Sequence, residues 1–248
     1  MDIESIQVHL NSKYASSYNN GNLSDCTFIL PYVEIPSQRH IYLSVVHAVI
    51  PYSMYNIDST NNLLSYSVNG GISTNLYITA GNYTSSQLVA FMNSQMTNFV
   101  VTYSSITNTF SWTHSTYNFI FNTNSTCFDL IGFSLTSNLS SSSRTITSPY
   151  CVNMARFQCI CIGSNVQTSS MNLNPNQSNC RSIIASIPLD NQPFSSIIYK
   201  NENQFKVNLY SNNLTNINIK LMDQDGNMLN LNGKYFSLTL QLDIVDFV

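Results

Sequence analysis

In the run "NGKYFSLTLQLDIVDFV" (232–248), Phe236, Leu238, Leu240, Leu242 and Ile244 fall on one parity, and Tyr235, Ser237, Thr239, Gln241 and Asp243 on the other. A period of two marks a β-strand with one buried face. So continuous an apolar face invites aggregation when it hangs free, so the run is expected to pair within a sheet and complete a fold.

Other strand-like runs precede it. "DCTFILP" (25–31) and "RHIYLSVVHAVIP" (39–51) each stop at a proline, which cannot donate to a ladder. The middle of the second is apolar on both parities, which predicts a strand covered on each side, by the other sheet and by a neighbouring segment or subunit. Further runs lie at 156–163, 180–189, 195–201, 204–210 and 215–223. With the closing strand they make eight, and eight antiparallel strands in two sheets are a jelly roll, an architecture of viral capsid and lectin domains. An immunoglobulin-like sandwich needs fewer strands and stays open if two of these runs are not strands.

The stretch 57–136 reads differently. "NLLSYSVNGG" and "TNLYITAGNYT" look like strands, and then Leu88, Phe91, Met92, Gln95 and Met96 recur at helical spacing behind Thr84 or Ser85 as a cap. "FVVTYS", "TFSWTHS" and "YNFIFN" follow as short aromatic strands, and "CFDLIGF" as one helical turn ending at Gly132. The Ser-rich "TSNLSSSSRTITSP" (136–149) reads as a linker or exposed loop returning the chain to the framework. The expected fold class is all-β: a single eight-stranded jelly roll of two antiparallel sheets, over 25–56 and 137–248, with a small α+β insertion domain over 57–136.

Composition sharpens the picture. Charged residues are only 8% of the 248, against roughly a quarter in ordinary domains, while 43% are hydrophobic and 12% aromatic. That content argues against disorder. Solubility then rests on Asn, Ser and Thr, and a surface with so little charge tolerates close packing against copies of itself. The net charge of −3 and the absence of any Lys/Arg run leave no footprint for nucleic-acid binding. "MDIESIQVHL" lacks a basic start and an apolar core, and no run reaches the roughly 20 apolar residues of a membrane span. The expectation is a protein made and kept in a reducing cytosol.

Candidate chemistry is sparse. "DQDGN" (223–227) holds a fragment of a calcium loop in Asp223, Asp225 and Gly226, but no acidic residue stands at the closing position, so a hairpin turn is the better reading. Of the six cysteines, Cys26, Cys127, Cys151, Cys159, Cys161 and Cys180, only Cys159 and Cys161 are close in sequence. On a strand they share a face, expected to be the core face beside Phe157, as small hydrophobes rather than metal ligands. His9, His40, His47 and His114 have no histidine partner at i, i+4, and His47 is expected as a satisfied core or interface histidine. No nucleophile elbow, phosphate loop or zinc-protease motif is present, so no catalytic, cofactor-binding or metal-binding residue is assigned. Tyr77, Tyr83, Tyr103, Phe110, Trp112, Tyr117, Phe119 and Phe121 cluster in the insertion, where stacked rings would suit a sugar, although core packing accounts for most of them.

Five phrases, in order, resemble the penton, or minor capsid, protein of virophages and polinton-like viruses. They are "YLSVVHAVIPYSMYNI" (42–57), "ITAGNYTSSQLVAFMNS" (78–94), "CFDLIGF" (127–133), "SIIASIPL" (182–189) and "GNMLNLNGKYFSLTLQLDIV" (226–245). The resemblance covers about residue 40 to the end. It implies a structural virion protein, made in the host cytoplasm or viral factory, whose homopentamers cap the icosahedral vertices. The implied partners are copies of itself, a neighbouring double-jelly-roll major capsid protein, and a host receptor or glycan met through the insertion. Residues 1–24 match nothing in the family pattern and are expected to form an N-terminal arm. The alternative function is a carbohydrate- or receptor-binding jelly-roll attachment protein.

Overall fold

The computed structural model describes residues 3–34, 39–134, 138–166, 183–210 and 213–246. Along the chain run β1 (Ile3–Asn11), β2 (Ser17–Tyr18), β3 (Asp25–Glu34), β4 (Arg39–Pro51), β5 (Leu63–Val68), β6 (Thr74–Tyr77) and the helix α1 (Ser85–Gln95). There follow β7 (Phe99–Ser104), β8 (Thr109–His114), β9 (Phe119–Phe121), β10 (Leu139–Ser140), β11 (Thr145–Thr147) and β12 (Cys159–Ser164). The last are β13 (Ile183–Pro188), β14 (Ser196–Lys200), β15 (Val207–Leu209), β16 (Asn213–Met222) and β17 (Ser237–Asp246). Two compact units emerge, one formed by Met1–Met54 with Phe157–Val248, the other by Tyr55–Arg156.

The first unit is a jelly roll. One sheet has the order β1-β17-β4-β14, with β15 on the same strand, β4; the other has the order β13-β12-β16-β3-β2. All pairings are antiparallel; β1 with β17, β3 with β16, β4 with β14 and β15, and β12 with β13 nest, while β17 with β4 and β16 with β12 join the nested pairs side by side into the two sheets. Such nesting is what a long antiparallel ribbon gives when it folds over on itself.

The closing strand behaves as its alternation predicts. Phe236, Leu238, Leu240, Leu242 and Ile244 are all buried in the core between the sheets. The double-faced apolar pattern of β4 has a different cause from the one expected. Ile41, Leu43 and Val45 point into the core, and so do Ala48 and Ile50, because the register against β17 shifts between Thr239 and Leu240. That bulge changes the parity of β4, so residues that look two-sided in sequence serve one face.

Three expectations are corrected. Residues 3–11 are no arm: they form β1, which pairs along its whole length with β17, and its Leu10 is buried in the core with Ile6 and Val8 packed against it. The runs at 195–201 and 204–210, counted as two separate framework strands, are successive segments, β14 and β15, along one side of β4. The inserted unit does not end at 136 but at Arg156. Segment 138–156 belongs to it, because β10 pairs with β9, β11 pairs with β8, and Ile146 and Val152 enter its core. The Ser/Thr-rich composition that suggests a linker is a hydroxyl ladder on a sheet surface, where Thr145 meets Thr113 at 3.0 Å and Thr147 meets Ser111.

In the inserted unit two small sheets, β10-β9-β5-β6 and β11-β8-β7, share an aromatic core with α1. Thr84 caps the helix in a capping box with Gln87. The ends of the unit are tied together by Asn56, whose amide donates to the Tyr83 and Met154 carbonyls at 2.8 and 3.0 Å, and by the Arg156–Asp58 ion pair at 2.6 Å.

Candidate interaction site

The residues that sequence singles out are mostly committed to structure. Asp223 holds the turn before Asn227: its carboxylate accepts the backbone N–H groups of Asp225 and Asn227 at 2.9 and 2.8 Å and the Asn227 amide at 3.1 Å. Gly226 has φ +80 there, the positive value a tight turn needs. Among the described residues no group of three or more His, Cys, Asp and Glu side chains is placed to hold a metal ion.

The cysteine pair faces the opposite way from expectation. Ile160 and Ile162 are the buried residues of β12, so Cys159 and Cys161 lie on the outer face of their sheet, with their sulfurs 3.8 Å apart. Phe157 misleads because it precedes the strand and does not share its pleat. Partial burial, followed by the proximity of Cys159, pushes the Cys161 thiol up to about 12. Complete burial does the same for Cys127. Thiols held so far above neutral pH are poor nucleophiles. Cys180 lies outside the described residues.

The aromatic cluster separates into buried and exposed members. Trp112, Phe110, Phe119 and Phe121 are fully buried, and Trp112 packs edge-on to Phe121 at 5.2 Å between ring centres. Its indole nitrogen has no hydrogen-bond partner among the described residues. Trp112 is therefore a core residue, and the reading that gives it a sugar to stack on is corrected. Tyr77 and Tyr117 are exposed. His114 is buried, and its ring nitrogen Nδ1 accepts the N–H groups of Thr116 and Tyr117 at 3.1 and 2.9 Å. His47 is not in the core; it lies half-buried opposite Thr239, which also meets His9 at 2.9 Å.

Polar groups gather on a sheet face of the first unit and in a pocket of the inserted unit. On the outer face of the β1-β17-β4 sheet, Asp243 accepts from Ser5 at 2.7 Å and Gln241 at 2.8 Å, and Lys206 lies 3.6 Å away and over the Tyr42 ring. Burial alone would raise the Asp243 carboxyl, but these hydrogen bonds and the ammonium outweigh it and hold it below its usual range. The face is a closed network, built to be stable and polar.

The second surface is a pocket of about 480 Å³ in the inserted unit, lined by Asp129, Gly132, Phe133, Ser134, Tyr150, Cys151 and Asn153. Two segments build it. The turn of "CFDLIGF" closes with Ile131 N–H donating to the Cys127 carbonyl and Phe133 N–H to that of Phe128, and Gly132 sits at φ +82. Backbone bonds from Tyr150 to Gly132 and from Asn153 to Leu130 lay the 150–153 segment against it. A side chain at Gly132 would collide with the Tyr150 carbonyl, so the close approach of the two segments requires glycine. Sequence reading places a turn here but gives no sign of the pocket, because Tyr150 and Asn153 lie about twenty residues on, beyond a stretch that reads as linker.

By fold, this is a two-sheet jelly-roll protein carrying an α+β insertion with a pocket of its own. The chain belongs to the family described as "Family of unknown function (DUF5901)", whose model matches residues 38–240. Among solved structures it is similar to the selenomethionine-labelled mavirus penton protein, at 11% identity and a TM-score of 0.49, over 99% of this chain and 100% of that one. Curated proteins give no match. No helix among the described residues is long and apolar enough to cross a membrane.

Proposed function

We propose that this chain is a structural capsid subunit, a penton protein whose homopentamers cap icosahedral vertices and which acts in the virion rather than in catalysis. The observation that carries the reading is the nested strand pairing of the first unit, with a whole folded unit inserted between β4 and β12. With β14 and β15 counted as one interrupted strand and β2 as an extension of the edge, the jelly roll has eight strands, the architecture of many capsid proteins. The ordered phrases from "YLSVVHAVIPYSMYNI" to the closing strand fit the same reading, and so does a surface with only 8% charged residues. Its partners are then further copies of itself and a double-jelly-roll major capsid protein around each vertex.

Light scattering on the purified chain, over a range of concentration and salt, tests it. A species near five times 27.8 kDa is expected, nearly indifferent to salt because so few charges are present to screen. A closed trimer would overturn the fivefold reading, and so would a monomer that fails to form rings in electron micrographs at any concentration.

A further inference from the structure

We infer that the pocket of the inserted unit is a binding site for a neutral glycan, with Tyr150 as the stacking platform and Asp129 and Asn153 as the groups that read hydroxyls. Tyr150 is 61% exposed, although its backbone is pinned to Gly132 at 3.1 Å. A ring fixed by its main chain and open on its side suits a sugar face, which stacks its C–H groups on an aromatic surface. Around it, the side chains of Asp129, Ser134, Tyr150 and Asn153 make no hydrogen bond to any described residue, although elsewhere in this unit Asn, Ser and Thr side chains are widely engaged. A carboxylate offers only acceptors, an amide offers both donors and acceptors, and hydroxyls offer both. That set matches the vicinal hydroxyls of a hexose, each of which gives one hydrogen and accepts another.

Charge selects the class of glycan. The lining holds one carboxylate and no Lys or Arg, so sialylated or sulfated chains meet repulsion with nothing to offset it. A cavity of about 480 Å³ lies inside the range of small-molecule sites and admits a monosaccharide or disaccharide end rather than a long chain. This inference is independent of the capsid reading: a monomeric chain would bind equally well at this pocket.

The test uses the full chain and a panel of neutral sugars, galactose, mannose, glucose, N-acetylglucosamine and lactose, with sialyllactose as the charged control, read by saturation-transfer NMR and calorimetry. At least one neutral sugar is expected to bind at millimolar strength or better. Tyr150→Ala is expected to weaken it at least tenfold, Asp129→Asn several-fold, and Tyr117→Ala, an exposed tyrosine outside the pocket, not at all. Far-UV circular dichroism establishes that each variant is folded. Silence from every neutral sugar overturns the inference, as does binding that survives Tyr150→Ala in the folded protein. Preferential binding of a short Lys-rich peptide, lost in Asp129→Asn, would also overturn it, by showing that the pocket takes a cation.

Discussion

Leu240 and Thr239 are neighbours in sequence and opposites in environment, which makes them a sharp probe of the first unit. Leu240 is 1% exposed between the sheets, whereas Thr239 faces outward beside His9. Leu240→Asp removes a buried aliphatic chain, at a cost of about 3 kcal/mol with the cavity it leaves. It also puts a carboxyl where nothing can pair with it. Burial disfavours the ionised form, and holding a carboxyl of ordinary pKa neutral at pH 7 costs about 4 kcal/mol. The sum, about 7 kcal/mol, is comparable to the whole stability of an ordinary domain, about 5 to 15 kcal/mol. Leu240→Asp is therefore expected to leave the jelly roll unfolded or insoluble. Thr239→Asp, on the wet face, is expected to stay within about 1 kcal/mol of the parent. Urea titration followed by far-UV circular dichroism, with hydrogen exchange on peptides covering β17, measures both. Tryptophan emission does not serve, because Trp112 belongs to the other unit. Equal midpoints and equal protection of β17 in the two variants would refute the assignment of faces.

Trp112 is the right probe for Gly132→Ala. The added methyl meets the Tyr150 carbonyl at a residue already at positive φ, so the inserted unit is expected to lose about 2 kcal/mol or more, read as a lower midpoint in tryptophan emission. An unchanged midpoint would show that the two segments separate without cost. For Asp243 the folded-state pKa lies below the ordinary 3.8, so its stabilising contribution is present above that value and is lost as pH falls through the folded pKa. Asp243→Asn is expected to lower stability at neutral pH, where that contribution is fully present, and to flatten the loss of stability as pH falls below the ordinary carboxylate value. A variant whose acid profile overlays the parent's would count against the network around Asp243.

What sequence could show depended on whether a pattern was local. The closing strand, with five apolar residues on one parity, and α1, with a capping Thr84, announce themselves because period and cap lie within a dozen residues. β4 conceals its parity because its extra residue, Val46, shows only in the pairing with β17, where Thr239 meets His47 and Leu240 meets Val45. β12 offered two faces, one of isoleucine and one of cysteine, and the more apolar isoleucine face took the core. β1 carries an alternation in Ile6, Val8 and Leu10, yet the sequence reading makes it part of an arm, because its partner lies more than two hundred residues away and no local signal names that partner. The pocket is of the same kind, since it exists only where the turn at 128–133 meets the segment at 150–153.

The pairing of β1 with β17 also sets an order of events during synthesis. Gln7 and Gln241, hydrogen-bonded across the two strands, are 234 positions apart. At about 5 to 20 residues per second, β1 waits roughly ten to fifty seconds after leaving the ribosome before its partner has been made. The inserted unit is fully translated well before then and closes through contacts of its own. The last hydrogen bonds of the jelly roll therefore form only after that unit has been made, and until then β1 shows solvent a row of Ser5, Gln7 and His9 in place of a second apolar face.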